Sequence, residues 1–465
     1  MRNPLSVNNM IKSEYLRGEI PSSKAAYGTL LALAVPSVVE MVLTSLISSI
    51  DTMMVGGIGT AALASVGLTV QPRLLALSLA IGTSYGVTAV IARRKGEERP
   101  ETASATLRLV LILIFFLSAV IAVLVIVFAP QIMLFAGANE DTLAYSVTYY
   151  RIFMSALPIN SLMLCINAAQ RGIGRTRITM YVNIVANVVN VIFNYLLIGG
   201  NFGFPKLGVA GAALASVIGI CCGFALTLTV IVRKGSYFNM RYTKRDFTFE
   251  KDILLPVATV SSGALLEQIC MRIGFLLFAR FVALLGTEQY AAHQICVQFL
   301  QLTYNFAEGI GVAGTSLVGQ NLGRRRPDIS MMYGKMSQRV ALIAAILLAA
   351  MALILKYPAA RLFSNDTVVI EYAAHIMIFV AIFQPFQMSA VVLSGCLRGA
   401  GDTKFVARTM FICITFIRPT AGYLAIHALS GGLTGAWLAM LLDICIRFFF
   451  VYRRFSQNKW AAIVV

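Results

Sequence analysis

The sequence predicts an all-α integral membrane protein of twelve transmembrane helices, arranged as two parallel six-helix repeats. Three observations predict it. The first is composition: 58% of the 465 residues are hydrophobic and 12% charged, with a mean hydropathy of +0.80, against about 25% charged residues in an ordinary soluble domain. The second is a block that returns at fixed spacing. Arg171-Gly172-Ile173-Gly174-Arg175-Thr176-Arg177 recurs further down the chain as Arg398-Gly399-Ala400-Gly401-Asp402-Thr403-Lys404, an offset in numbering of 398 − 171 = 227. At that same offset Gly96-Glu97-Glu98-Arg99-Pro100 pairs with Gly323-Arg324-Arg325-Arg326-Pro327, Pro158 with Pro385, and Glu40 with Glu267. Gly208-Val209-Ala210-Gly211-Ala212 returns as Gly432-Leu433-Thr434-Gly435-Ala436 at 224, so one loop differs by three residues. Matches in one register over most of a chain mark a duplicated unit. The third is the placement of basic charge. The termini and the even-numbered connections hold 28 Lys and Arg residues, the odd-numbered ones only Lys206, Arg280, Lys356 and Arg361. The positive-inside rule then places both termini in the cytoplasm and makes the number of spans even.

The chain is polar and basic to about Lys24, and no signal peptide is expected. Twelve stretches long enough to span follow. The first, 29–52, carries Pro36, Glu40 and Asp51. The second, 61–91, runs into the basic connection Arg93-Arg94-Lys95. The third and fourth are 104–128 and 142–164. The fifth, 177–199, opens after the first glycine block, and the sixth, 208–232, opens at Gly208. The polar stretch 233–252 reads as a cytoplasmic linker between an N-lobe, 1–232, and a C-lobe, 253–465. The seventh span, 253–280, carries Glu267. The eighth, ninth and tenth are 289–318, 337–356 and 370–394. The eleventh, 406–428, follows the second glycine block, and the twelfth, 434–452, carries Asp443 and Arg447. The apolar runs are continuous rather than alternating, which excludes a β-barrel. Six spans return the chain to its starting side, so the repeats are parallel and meet at a cleft. The glycine blocks read as tight cytoplasmic turns, since no Lys-Ser/Thr or strand context accompanies them for phosphate binding.

The net charge of +18 is a topology signal that touches anionic lipid, and no nucleic-acid partner is expected. The eight cysteines lie within spans and His293, His375 and His427 are scattered, so no metal site or cofactor is expected. No nucleophile stands with a base, so the chain is not read as an enzyme.

Charges at membrane depth are costly, and each needs a reason. Glu40 and Asp51 are eleven residues apart, roughly 20° of rotation and about 16 Å of rise on one helix, so they share a face, and Glu40 is expected beside Asp51 among the residues that couple a proton or cation. Pro36, one turn before Glu40, permits a kink. Asp51 lies in the outer part of its span, where it either sits among headgroups or faces inward. Asn183, Asn187, Asn190 and Asn194 are spaced 4, 3 and 4 apart on one stripe. They either bond neighbouring helices or line a polar cavity and, with a carboxylate, hold H+ or Na+. Glu267 lies mid-span. Arg272 is five residues away, a poor helical spacing, so an ion pair has no obvious partner, and a cavity-facing acid is expected. Met271 with Gln298, Gln301 and Tyr304 of the eighth span are expected to line a substrate site. Asp443 and Arg447, at i,i+4, are expected to pair. Arg73, Glu308 and Arg418 have no evident role.

The stretch Asp51-Thr52-Met53-Met54-Val55-Gly56-Gly57-Ile58-Gly59, with Ala291-Ala292-His293-Gln294-Ile295 and the glycine blocks, resembles the multidrug and toxic compound extrusion (MATE) family over about residues 25–453. The resemblance implies a V-shaped transporter of the cytoplasmic (inner) membrane, a monomer that exports drug-like organic cations against H+ or Na+ by rocker-type alternating access. It implies that Asp51 is the first-lobe coupling carboxylate, with Asn190, Asn194 and Ser216 nearby, Pro36 as the bending proline and Glu267 as the seventh-span acid. Asn194 stands where archaeal and DinF-like members carry Asp, and Gln387 where NorM-like members carry an acid, so the chain lies between these subfamilies. The alternative is a flippase of lipid-linked precursors, which shares the architecture and wants basic residues facing the cleft to hold a pyrophosphate.

Overall fold

The computed structural model of the protein describes residues 7, 10, 11, 16–233, 235–240, 251–364, 366–428 and 431–463, and among them no strand occurs. Helices run as α1 Ser23–Gly56, α2 Thr60–Gly96, α3 Pro100–Val127, α4 Ala129–Phe135, α5 Glu140–Ser155, α6 Leu157–Gly172, α7 Thr176–Gly199 and α8 Val209–Val232. They continue as α9 Lys251–Ala283, α10 Thr287–Gly323, α11 Pro327–Ile354, α12 Lys356–Arg361, α13 Thr367–Gly399, α14 Thr403–Met410, α15 Arg418–Tyr423 and α16 Gly432–Ser456. Phe411–Ile417 and Leu424–Ala428 are π-helical and join α14 and α15 into one apolar span, Thr403–Ile426.

Ten of these elements are long and apolar enough to cross a membrane, and α5 with α6, bent by 50°, makes an eleventh. The twelfth pass expected from the sequence is α10. It has 37 residues, enough for a span, but Glu288, Gln298, Gln301, Asn305, Glu308 and Gln320 dilute its apolar character.

The duplication is written into the helix bounds. Shifted by the offset of the glycine blocks, both ends of α2 fall on the ends of α10, and both ends of α3 on those of α11. The glycine blocks make the same turn twice: Gly174 has φ +85° and Gly401 φ +89°, left-handed backbone that glycine adopts without a Cβ penalty. Interactions repeat as well. The Thr88 hydroxyl donates to the Ala168 carbonyl at 3.1 Å, and at the same offset Thr315 donates to Gly395 at 2.8 Å. The halves part company at their prolines. Pro158 opens α6 just past the bend, whereas its counterpart Pro385 lies inside the unbroken α13.

The chain divides into two compact units, Val39–Leu265, and Met1–Val38 with Leu266–Val465. The division therefore falls inside α1 and α9. The sequence expectation places it at 233–252, of which 234 and 241–250 lie outside the described residues. Within the first unit α2 packs on α5 and α6, α3 on α6, and α7 on α8. Within the second, α13 packs on α10, α11 and α16, and Trp437 stacks on Phe383 at 5.9 Å in its core. Val7, Met10 and Ile11 are buried in a second cluster of that unit with Leu30, Ala34, Ile310 and Met336.

Candidate functional site

The asparagine stripe of α7 faces α1, and it does so in constant register. Asn183 donates to Glu40 at 2.6 Å, Asn187 to Thr44 at 3.4 Å and Asn194 to Asp51 at 2.6 Å. Each pair is separated by 143 residues in sequence. A fixed offset along two helices means they run parallel. The stripe begins one turn before the asparagines. Thr179 donates to Glu40 at 2.9 Å, and Arg171 of the glycine block donates to it at 3.1 Å. Glu40 is 3% exposed and has three donors, so its charge is met within the protein.

Asp51 sits at the C-terminal end of the stripe and is half-buried. Besides Asn194, the Asn190 amide serves it. With its nitrogen toward the carboxylate, Asn190 donates to both Asp51 oxygens at 2.8 and 2.9 Å, and its carbonyl accepts from the Ser216 hydroxyl at 3.2 Å. Ser216 reaches that position because α8 lies close on α7: a Cβ on Gly219 would stand 2.7 Å from the Ala186 carbonyl oxygen and 3.0 Å from the Asn190 Cβ. One polar atom is left over. Asn194 is 1% exposed, and its amide oxygen has no hydrogen-bond partner among the described residues. A buried acceptor without a donor costs free energy unless something fills the need. Beside a carboxylate, a proton or a small hard cation fills it.

Two sequence expectations for the second half, those for Glu267 and Met271, meet a different arrangement. Glu267 is 1% exposed and accepts from Arg398 at 2.8 Å. Arg398 also donates to Glu308, at 3.2 and 3.3 Å. The acid expected to be cavity-facing is therefore held by an arginine of the second glycine block, 131 residues away. This pair repeats Glu40–Arg171, the same residue types at the same separation. Asp443 forms the expected ion pair with Arg447, at 3.9 Å, and has a closer partner on α15: Arg418 donates to it at 2.9 and 2.6 Å. Met271 is packed among Leu397, Val406, Met410 and Ile414, so it lines no open surface. Gln298 and Gln301 are exposed on α10, and Tyr304 is half-buried. Pro36 is buried within α1. Sequence reasoning missed Thr179, Arg171 and Arg398. Thr179 was within reach, since it extends the stripe by one more spacing of four. Among the described residues no group of three His, Cys, Asp or Glu side chains could hold a metal ion.

The family comparison repeats the duplication. The MatE family model matches twice, over residues 36–196 and 264–424, once in each repeat. A probable multidrug resistance protein NorM from Thermotoga maritima is 27% identical, with 97% of this chain and 96% of that one covered. The multidrug resistance protein MdtK of Pectobacterium atrosepticum is 27% identical over 85% of this chain and 86% of its own. An outward-facing multidrug resistance MATE family transporter of the MOP superfamily superposes with a TM-score of 0.87 at 20% identity, over 96% of this chain and 98% of that one. A MOP superfamily transporter from Pyrococcus furiosus, whose binding pocket is described as reversed in polarity, also gives 0.87 at 20% identity, over 99% and 100%. Twin matches to one family model, falling on the two halves of a duplicated all-helical bundle, place the chain in the MatE family of multidrug and toxic compound extrusion transporters.

Proposed function

We propose that this transporter is a secondary active multidrug exporter of the cytoplasmic membrane. It extrudes drug-like organic cations in exchange for H+ or Na+ bound at Asp51. Multidrug efflux comes from the relatives, whose names assign it to them. The ion site comes from this chain. The carrying observation is the unpartnered amide oxygen of buried Asn194 next to the Asp51 carboxylate. An ionised carboxylate and spare carbonyl oxygens are what a proton or a hard monovalent cation is drawn to. Asn190 and Asn194 hold the carboxylate in place, and Ser216 fixes Asn190. Ion binding neutralises Asp51, and that change in charge biases alternating access of the site to the two membrane faces. Pro36 gives α1 a point at which to bend, and exposed Gln298 and Gln301 offer polar groups to substrate. Both termini face the cytoplasm on this reading.

The paired acids Glu40 and Glu267 hold the glycine blocks in place rather than carrying ions. The flippase alternative needed free basic groups for a pyrophosphate. Arg398 and Arg418 are instead bonded to buried carboxylates. The test is Asp51→Asn in proteoliposomes, with H+ and Na+ gradients imposed separately. Gradient-driven export is expected to stop while the protein stays folded and inserted. Wild-type export in that variant removes Asp51 from the mechanism.

A further inference from the structure

Arg73 lies well inside α2, directly after Pro72. A guanidinium inside a span calls for a partner, yet no carboxylate of the described residues comes within ion-pair distance of it. It rests on an aromatic ledge instead. It donates to the Tyr149 hydroxyl at 3.0 Å. Its guanidinium carbon lies 4.3 Å from the Phe153 ring centre and 5.7 Å from that of Tyr149, and the two rings stack at 6.2 Å. Arginine offers five donors in a planar fork made for carboxylates, and an aromatic face with one hydroxyl uses little of that capacity.

The ledge adjoins the Asp51 site. Tyr149 is buried in one cluster with Val55 and Ile198, and Phe153 packs against that cluster. Val55 is one helical turn beyond Asp51 and Ile198 one turn beyond Asn194. Side chains on a helix lean toward its N-terminus. Arg73 therefore leans along α2 toward the end where Ala62 joins the same cluster. Among the described residues, the ionisable group in contact with Arg73 is Tyr149 on α5. Facing Asp51, α7 and α8 contribute the neutral Asn190, Asn194 and Ser216.

We infer that Arg73 is a tethered cation of the first-lobe site, parked on Tyr149 and Phe153 while Asp51 holds its coupling ion and swinging onto the carboxylate when that ion leaves. This rests on the reading of Asp51 as the coupling residue. It adds that the site is never left as a bare buried anion, because the protein's own cation competes with the transported one. Arg73 acts through Asp51, so it is a positioning residue.

The experiment measures the half-saturating concentration of the coupling ion, H+ or Na+, for substrate export from proteoliposomes. Arg73→Gln removes the competitor, and the half-saturating concentration is expected to fall by roughly tenfold, the effect of one opposite charge beside a carboxylate. Arg73→Lys keeps the tethered charge and is expected to restore the wild-type value. Tyr149→Phe takes away the ledge hydroxyl, frees the guanidinium to compete, and is expected to raise the value. This third variant keeps the test decisive if Arg73→Gln fails to insert. An unchanged ion dependence in Arg73→Gln, or in Tyr149→Phe where that is the variant measured, beside an inactive Asp51→Asn overturns the Arg73 assignment alone. So does Arg73→Lys behaving like Arg73→Gln. Normal export by Asp51→Asn overturns the reading of the site itself.

Discussion

Arg398→Gln tests the buried pairing of the second half. The guanidinium makes bonds of 2.8 Å to Glu267 and 3.2 and 3.3 Å to Glu308. The side chains of Arg398, Glu267 and Glu308 are 3%, 1% and 9% exposed. Removing the cation leaves two carboxylates facing one another out of water, and loss of one member of a buried pair costs about 3–5 kcal/mol. The first half supplies the comparison. Arg171 is 15% exposed, and Glu40 keeps Thr179 and Asn183 after Arg171 is gone. Arg171→Gln is therefore expected to cost only about 1.5–3 kcal/mol, the range for one hydrogen bond to a charged group. Thermal denaturation of the purified variants in detergent reads the difference. At roughly 1 °C per kcal/mol for a chain of this length, Arg398→Gln melts on the order of 3–5 °C below wild type. Scans are compared at one heating rate, since unfolding of such proteins is irreversible. Neutralising the partners as well, with Glu267→Gln and Glu308→Gln, is expected to recover most of the loss, because the two acids the guanidinium bridged are then uncharged. An Arg398→Gln protein that melts with wild type, or an Arg171→Gln protein that melts lower still, refutes the reasoning.

Two further outcomes follow from the geometry. Gly219→Val forces a Cβ against the Ala186 carbonyl and Asn190; with overpacking costing about 1–3 kcal/mol, it is expected to pry Ser216 from Asn190 and depress ion-coupled export in proteoliposomes, and wild-type coupling removes α8 from the site. A lone cysteine at Ser236, in a background free of the eight native cysteines, is expected to react with an impermeant maleimide only after the cells are permeabilised. Labelling of intact cells inverts the topology.

The repeat was legible because its markers, glycine blocks and acid positions, keep one register through otherwise diverged helices. The asparagine stripe was legible because helical periodicity alone puts residues 4, 3 and 4 apart on one line. Glu267 was misjudged for a physical reason. Spacing rules see partners within one helix, and its partner stands on another, 131 residues away. A hint existed, since the register that matched Glu40 to Glu267 also matched Arg171 to Arg398, and contacts duplicate along with residues. The bend between α5 and α6 was not legible. Pro158 and Pro385 look alike in sequence, but α13 is a central helix with 72% of its apolar window buried, and tertiary packing overrides a local breaker.

The matching helix bounds of the two halves carry a consequence for how such a chain can change. Down the second half, the counterparts of Thr179, Asn183, Asn187, Asn190 and Asn194 are Val406, Met410, Ile414, Ile417 and Ala421, and Asp51 corresponds to Phe278. The polar line in one copy is oily in the other, on helices begun at equivalent residues. Replacing a side chain alters one point. Inserting a residue turns everything beyond it by about 100° and lifts it by about 1.5 Å, carrying a whole row of amides from protein to lipid. Within these helices length is the ruler that neither copy altered, while the loop before Gly432 shortened and side-chain chemistry diverged.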